Sequence, residues 1–386
     1  MLFIALFATL FANVFINGVA FLIPTLHRDF GLDLALAGLI SAMPKFGMVP
    51  TLIPWGYVVD RAGERFVLWV GSALTAAAAL GAALSSSLVV MSALLFLGGM
   101  AAASSNSASG RLVVGWFPAE QRGLAMGIRQ TAQPLGVGLG ALVMPQLAQN
   151  HGIGPALMFP AAVCALAAVV CVVAVVDPPR PPRAEAPPED LANPYRGSRI
   201  LWRIHAVSVL LVVPQALVWT FALVWLMSER GWSPAAAGVL VTVSQILGAF
   251  GRIAAGRWSD KMGARLRPIR IIAAAAAVSM LLLGLADAID AGWSIAVLIV
   301  ASVLTVSDNG LAFTAIAEIA GPFWSGRALG AQNTSQLLMT GLTPPLFGAL
   351  IGTAGYPVAF VVCALFPVLA IPLVPADPDS RTNRPS

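Results

Sequence analysis

Three ionisable side chains lie well inside long apolar stretches of this chain. Lys45, Arg129 and Asp308 are surrounded by aliphatic and aromatic residues in the sequence. A charged group at the centre of a lipid bilayer costs at least about 2.5–3.5 kcal/mol, so such residues usually serve a function. Lys45 and Arg129 have the charge to receive a carboxylate or another anionic group, and Asp308 can carry a proton or bind an amine.

Each of these residues also has a structural interpretation. Lys45 lies about 16 Å along its segment at 1.5 Å per residue, and it either contacts a substrate or forms a fixed ion pair. Asp308, about 24 Å along its own segment, either carries a proton, binds a cationic group or pairs with Lys45 or Arg129. Arg129 lies close enough to a segment end to extend its guanidinium into water, or else it forms part of a cavity wall. Arg111 and Arg252, nearer the segment ends, are interpreted as gate or anchor residues.

Neutral polar side chains recur in the same segments. Pairs such as Asn13 with Asn17 and Gln332 with Gln336 are four residues apart, which places both members on one helix face. Two tryptophans, Trp219 and Trp225, are candidates for stacking on a substrate, although membrane tryptophans are more often interfacial or packed. The neutral candidates for substrate or coupling contact are Asn13, Asn17, Asn106, Gln133, Gln215, Gln245, Asn309, Gln332 and Gln336.

The elements that must position these residues are membrane-spanning helices. The 386-residue chain is 58% hydrophobic and only 10% charged, whereas soluble proteins average about 25% charged residues. Continuous apolar runs of this length predict helices and exclude the alternating pattern of a β-barrel. The twelve predicted spans are 1–23, 34–58, 66–85, 89–117, 123–147, 154–177, 201–228, 234–257, 268–286, 292–318, 325–352 and 354–374.

The distribution of basic residues predicts the topology. Of 22 Lys and Arg residues, only Arg28 and Arg230 fall in loops after odd-numbered spans, and nearly all the others lie near loops after even-numbered spans. Basic residues mark the cytoplasmic side, so both termini are expected there. The predicted domains are a six-helix bundle (1–177), a Pro-rich cytoplasmic linker (178–200), a second six-helix bundle (201–374) and a polar tail (375–386).

A charged turn occurs twice in the chain, 200 residues apart, after the second and the eighth span. Both copies read G-x-x-x-D-[RK]-x-G-x-R, which indicates an internal duplication. The same offset aligns Lys45 with Gln245, and an offset of 203 aligns Ser105 with Asp308. We expect the turns to form a cytoplasmic gate, whose residues are Gly56, Asp60, Arg61, Gly63, Arg65, Gly256, Asp260, Lys261, Gly263 and Arg265. Simple anchoring of the basic residues at the membrane surface is the alternative.

Twelve spans in two halves, a long central loop and the duplicated turn resemble the major facilitator superfamily. The resemblance covers essentially the whole chain. It implies an all-α membrane protein with two pseudo-symmetric six-helix halves, related by an axis along the membrane normal, and a substrate site near the midplane. It also implies secondary active transport by alternating access in the cytoplasmic (inner) membrane.

The residues themselves favour a small organic anion or zwitterion as substrate, moved together with protons. Proton-driven efflux of lipophilic cations or drugs is the first alternative, and a membrane receptor or sensor is a remote one. No motif of an enzyme, phosphate-binding loop or metal site is found, and no cofactor or nucleic-acid partner is expected. The lipid bilayer is the expected surrounding, and a monomer is sufficient for this architecture.

Overall fold

A computed structural model describes residues 1–32, 34–179 and 185–377. Every regular element within these ranges is a helix. The elements are α1 (Leu2–Gly18), a 3-10 turn (Val19–Leu22), α2 (Ile23–Phe30), α3 (Leu34–Ala62), α4 (Glu64–Leu84), α5 (Leu88–Trp116), α6 (Ala119–Gln130), α7 (Ala132–His151), α8 (Ile153–Ala174), α9 (Pro188–Leu191), α10 (Pro194–Gly197), α11 (Ile200–Ser228), α12 (Pro234–Met262), α13 (Leu266–Ala288), α14 (Ser294–Ser307), α15 (Asn309–Ala320) and α16 (Ser325–Leu373).

The predicted all-α membrane architecture is confirmed. Ten helical stretches in the described ranges are long and apolar enough to cross a membrane. One of them, α16, covers the last two predicted spans, and non-helical torsions at Gly355 (φ 81°, ψ 170°) divide it where the sequence predicts a turn. The fifth predicted span is present as α6 and α7, which meet at Thr131.

Helix boundaries have local causes. Ser87 and Ser233 cap the starts of α5 and α12, because each hydroxyl accepts a hydrogen bond from the amide three residues later. Gly263 ends α12 in the left-handed conformation that glycine adopts most easily. The first predicted span is longer than expected, because helical backbone continues through the 3-10 turn to Phe30.

The chain forms two compact units. Unit 1 comprises Met1–Pro118, Ile128–Asn193 and Ala317–Thr334, and unit 2 comprises Ala119–Gly127, Pro194–Ile316 and the chain from Ser335 onward. Each unit therefore contains a short segment from the other half of the sequence. The boundaries of the repeat halves, 1–177 and 201–374, stay a prediction.

The predicted linker contains two short helices, α9 and α10. The Trp324 indole donates a hydrogen bond to the Leu191 carbonyl (3.2 Å), so this part of the linker packs inside unit 1. Residues 180–184 of the linker and 378–386 of the predicted tail lie outside the described residues.

Candidate functional site

Arg129 is the most deeply buried cation of unit 1 among the candidates. Its side chain is only 2% exposed, so it does not extend into water. The guanidinium donates to the Ser109 hydroxyl through Nε (3.0 Å) and Nη2 (2.8 Å), and Nη2 also reaches the Asn106 carbonyl (3.4 Å). Because Arg129 lies one residue before the α6 end at Gln130, a helix junction places it against α5.

A polar seam extends from Arg129 to α1. The Ser109 hydroxyl accepts a hydrogen bond from Thr9 (2.9 Å) and itself donates to the Ser105 carbonyl. The Asn13 amide donates to the Thr9 carbonyl (2.8 Å). Hydroxyls, amides and carbonyls of α1 and α5 are thus connected inside otherwise apolar packing.

Three further candidates of unit 1 lie on α1, α7 and α16. Asn17 donates to the Asn13 side-chain oxygen (3.1 Å), so these asparagines share one face of α1, as their spacing predicts. Gln133 is partly buried on α7, separated from Arg129 by the junction at Thr131. Gln332 is fully buried within unit 1.

Lys45 lies in the middle of α3, and its side chain is exposed. It makes no ion pair or hydrogen bond with any residue that the structure describes. On a helix, Lys45 shares a face with Leu52 and Gly56, which approach Gly330 and Gly326 of α16. The lysine therefore belongs to the face of α3 that turns toward α16, and its charge is available.

In unit 2, Asp308 lies at the junction between α14 and α15 and is only 2% exposed. Within unit 2, the charged group with which it interacts is Arg252 of α12. Arg252 is buried as well, donates weakly to the Val306 carbonyl (3.4 Å) and lies 5.9 Å from the centre of the Trp219 ring. The sequence placed Arg252 among gate or anchor residues near the helix end and did not predict this pairing.

Three of the predicted amide side chains are joined in one chain of hydrogen bonds. Asn309 donates to Gln215 (2.9 Å), and Gln336 donates to Asn309 (3.1 Å). These residues come from α11, α15 and α16, and Asn309 directly follows the buried aspartate in the sequence.

Two predicted side chains of unit 2 differ in their surroundings. Gln245 lines a small cavity with Trp219, Ser244 and Ser302. Trp225, by contrast, is fully buried, and its indole donates a hydrogen bond to an aspartate of α13 (3.0 Å). Trp225 is therefore a packing residue.

The charged turn of unit 1 is held by its aspartate. The buried Asp60 carboxylate accepts hydrogen bonds from the backbone amides of Gly326 (2.9 Å) and Arg327 (3.1 Å), in the first turn of α16. Carboxylates are favoured at such helix starts. A Cβ on Gly56 would lie 2.6 Å from the Gly326 carbonyl carbon, so the motif glycine allows the two helices to approach.

Two arginines, one of them buried, lie against this carboxylate. Arg327 Nε donates to Asp60 (2.8 Å), and Arg111 lies 3.4 Å from Asp60 and 3.2 Å from the buried Glu64. Arg61 instead lies over the Tyr57 ring, with its guanidinium carbon 4.3 Å from the centroid.

The turn of unit 2 repeats the arrangement. Asp260 accepts from the amides of Gly123 (2.9 Å) and Leu124 (2.7 Å) of α6, and from Arg265 (2.6 Å). A Cβ on Gly256 would lie 2.5 Å from the Gly123 carbonyl carbon. Lys261 is exposed at the end of α12.

A second pair of aspartates, missed in the sequence, caps the helices that follow the turns. Asp177 accepts from the Arg65 amide (2.7 Å), and Asp377 accepts from the amides of Arg265 (2.8 Å) and Leu266 (2.7 Å). These aspartates are 200 residues apart and each precedes a proline, so the repeat offset was the signal that could have found them.

The sequence matches the family model described as Major Facilitator Superfamily over residues 2–344. The chain belongs to this superfamily. It is 58% identical, over 96% of its length and 83% of the relative's, to the Mycobacterium tuberculosis protein named Uncharacterized MFS-type transporter Rv2994. It is therefore a multi-pass membrane transporter of the superfamily.

Solved structures of the superfamily share the fold. The Escherichia coli fucose:proton symporter FucP has a TM-score of 0.75 at 17% identity, covering 96% of this chain and 97% of that one. The human organic anion transporter MFSD10 has a TM-score of 0.77 at 16% identity, covering 96% and 98%. The proton:xylose symporter XylE has a TM-score of 0.75 at 18% identity, covering 95% and 94%. The predicted major facilitator fold is confirmed.

Proposed function

We propose that this transporter moves a small organic anion or zwitterion across the cytoplasmic membrane and couples the movement to protons. The observation that carries the proposal is Lys45. Lys45 lies midway along a spanning helix and has no ion-pair or hydrogen-bond partner in the described parts of the chain. Because an uncompensated charge at this depth is costly, an anionic group of a substrate is the partner that would stabilise it.

The polar groups of unit 2 supply the rest of the binding chemistry. Side-chain amides both donate and accept hydrogen bonds, so the Gln215–Asn309–Gln336 chain suits hydroxyl, amine or carboxylate groups.

Unit 1 offers a second cation and further polar groups. Arg129 is oriented by the two hydrogen bonds that its guanidinium donates to Ser109. The seam of Thr9, Asn13 and Asn17 would extend the polar lining along α1.

Asp308 is the proposed site of proton coupling. A buried carboxylate holds or releases a proton according to its distance from a cation, and Arg252 is the cation with which Asp308 interacts. A rearrangement of α12 against α14 and α15 would therefore change the protonation of Asp308. The proton-symporter function named for FucP and XylE, and the organic-anion function named for MFSD10, are compatible with this proposal.

The charged turns are the proposed cytoplasmic gate. Asp60 and Asp260 hold the first turns of α16 and α6, and release of these amides would free the helices to move. The basic residues near the turns favour a topology with both termini and the linker in the cytoplasm. One chain contains both turns and both sets of polar residues, so a monomer suffices.

Uptake into proteoliposomes tests the substrate class. Labelled carboxylates, amino acids, neutral sugars and lipophilic cations are offered to the wild-type protein with and without an imposed pH gradient. We expect transport of an anion or zwitterion, and Lys45→Gln should lower it at least about tenfold, whereas Lys45→Arg keeps most of it.

Gln245→Ala, at the equivalent position of the second half, is the matched control for general damage. It should alter affinity modestly and leave the preference for anions intact. Normal anion transport by Lys45→Gln would contradict the assignment. Transport of lipophilic cations in place of anions would support the efflux alternative.

A further inference from the structure

One face of α12 carries an exposed apolar stripe that ends in two cations. The stripe consists of residues separated by whole helical turns: Val239, Val243, Ile246 and Phe250. Ile246 and Phe250 are 53% and 64% exposed. Arg257 and Lys261 continue the same stripe and are exposed too. At 1.5 Å per residue, the cations begin about 10 Å beyond Phe250.

The opposite face of the same helix carries the residues of the candidate site and the gate. Gln245 lines the small cavity beside Trp219, and Arg252 interacts with Asp308. Gly256 approaches α6 at the gate. At about 100° per residue, these residues lie roughly 110–150° around the helix from the centre of the exposed stripe, so the stripe is on a different face from the candidate site and the gate.

The two cations are not neutralised by the described part of the protein. Arg257 and Lys261 make no ion pair, hydrogen bond or ring contact with a residue in the described ranges. Their neighbour Asp260 is already engaged by Arg265 and by two amides of α6. Like charges four residues apart on a helix repel each other, so this pair is destabilising unless an anion lies between them.

The first half of the chain has different residues at the corresponding two positions. Tyr57 and Arg61 occupy the places that correspond to Arg257 and Lys261, and the Arg61 guanidinium packs on the Tyr57 ring. That turn therefore has one cation with an internal partner. Of the two described turns, the second is therefore the one with two exposed cations that lack a described partner.

We infer that Arg257 and Lys261 bind the phosphate headgroup of an anionic phospholipid, whose acyl chains lie along Phe250 and Ile246. Trp258, adjacent and 37% exposed, is the type of side chain that prefers the depth of lipid headgroups. A dissolved phosphate would not explain the apolar stripe, whereas a phospholipid accounts for both the stripe and the charge pair.

Native mass spectrometry of the purified full chain tests this site. The protein is titrated with phosphatidylglycerol or with phosphatidylcholine, and the dissociation constant of the most tightly bound lipid is measured. Each cation near an anionic lipid contributes enough that Arg257→Gln/Lys261→Gln should weaken phosphatidylglycerol binding about 30-fold. Phosphatidylcholine binding should be equal in the two proteins.

The control variants distinguish the loss of positive charge from a loss of folding. Competition with inorganic phosphate distinguishes a lipid site from a site for the free ion. Arg257→Lys/Lys261→Arg should retain the wild-type affinity, and Arg61→Gln, at the equivalent turn, should leave it unchanged. An unaltered phosphatidylglycerol affinity in the double glutamine variant would overturn the inference. So would equal wild-type affinity for both lipids, or displacement of phosphatidylglycerol by millimolar inorganic phosphate.

Discussion

The two charged turns have the same sequence pattern and the same carboxylate contact, but they differ in what surrounds that contact. Asp60 and Asp260 each accept hydrogen bonds from two successive amides near the start of another helix. Around Asp60 lie the buried Arg111 and Glu64, whereas the second turn has Ala264 in place of Glu64. The duplication has thus kept the contact that connects helices and has not kept its electrostatic environment.

The backbone differs at the second motif glycine as well. Gly63 has φ 91° and ψ 167°, a region essentially restricted to glycine, and it lies against the Asp177 carboxylate. Gly263 has φ 59° and ψ 26°, the left-handed helical region, and a Cβ there would meet no described residue beyond its chain neighbours within 4 Å. Glycine is therefore found at this motif position in two different backbone conformations.

The largest difference in stability between the two turns is expected when the motif aspartates, Asp60 and Asp260, are neutralised. Asp60→Asn removes a carboxylate that pairs with both the buried Arg111 and the partly buried Arg327, and it should lower the free energy of unfolding by about 3–5 kcal/mol. Asp260→Asn should cost about 1.5–3 kcal/mol, because in the described part of the chain its carboxylate pairs with one arginine, Arg265, rather than with two. Denaturation of the purified variants in detergent measures both. Equal losses would show that Arg111 and Glu64 do not distinguish the turns.

A smaller difference in stability between the turns is expected for substitutions of the motif glycines Gly63 and Gly263. Asparagine tolerates the left-handed region but not the one occupied by Gly63. Gly263→Asn should therefore change stability by less than about 1 kcal/mol, whereas Gly63→Asn should cost about 1–3 kcal/mol. Thermal unfolding midpoints of the two variants rank them, and the reverse order would refute the proposed geometry of the turns.

Substitution of the two capping aspartates should have the smallest effect on stability, and the effect should be equal in the two turns. Asp177→Asn and Asp377→Asn each weaken a helix cap without burying a charge, at a cost of about 1 kcal/mol. Transport by both variants should stay near wild type. A selective loss of transport in one of them would mean that its cap takes part in the gate.

The helices and the turns could be predicted from the sequence, because apolar length and a repeated motif are local signals. The sequence also named Gln215, Asn309 and Gln336, which the fold joins in one hydrogen-bond chain. It did not reveal the Asp308–Arg252 pair, because the partner of a buried charge depends on how helices rotate against each other. The helix junctions at Thr131 and Asp308 likewise depend on packing, which no single segment encodes.

The deep residues differ between the units more than the turns do. The exposed Lys45 of unit 1 corresponds to the neutral Gln245 in the repeat, and Asp308 of unit 2 corresponds to Ser105. We interpret the repeated turns as parts of the gate and the unmatched residues as the parts that choose the substrate and couple it to protons.

Transport by Asp308→Asn tests this account most directly. In proteoliposomes, exchange of labelled for unlabelled substrate without a gradient should persist, because it needs binding and alternating access but no net proton movement. Accumulation driven by a pH gradient should be lost, while Ser105→Ala, at the matching position, should retain it. Gradient-driven accumulation by Asp308→Asn at the wild-type level would contradict the central claim that Asp308 couples transport to protons.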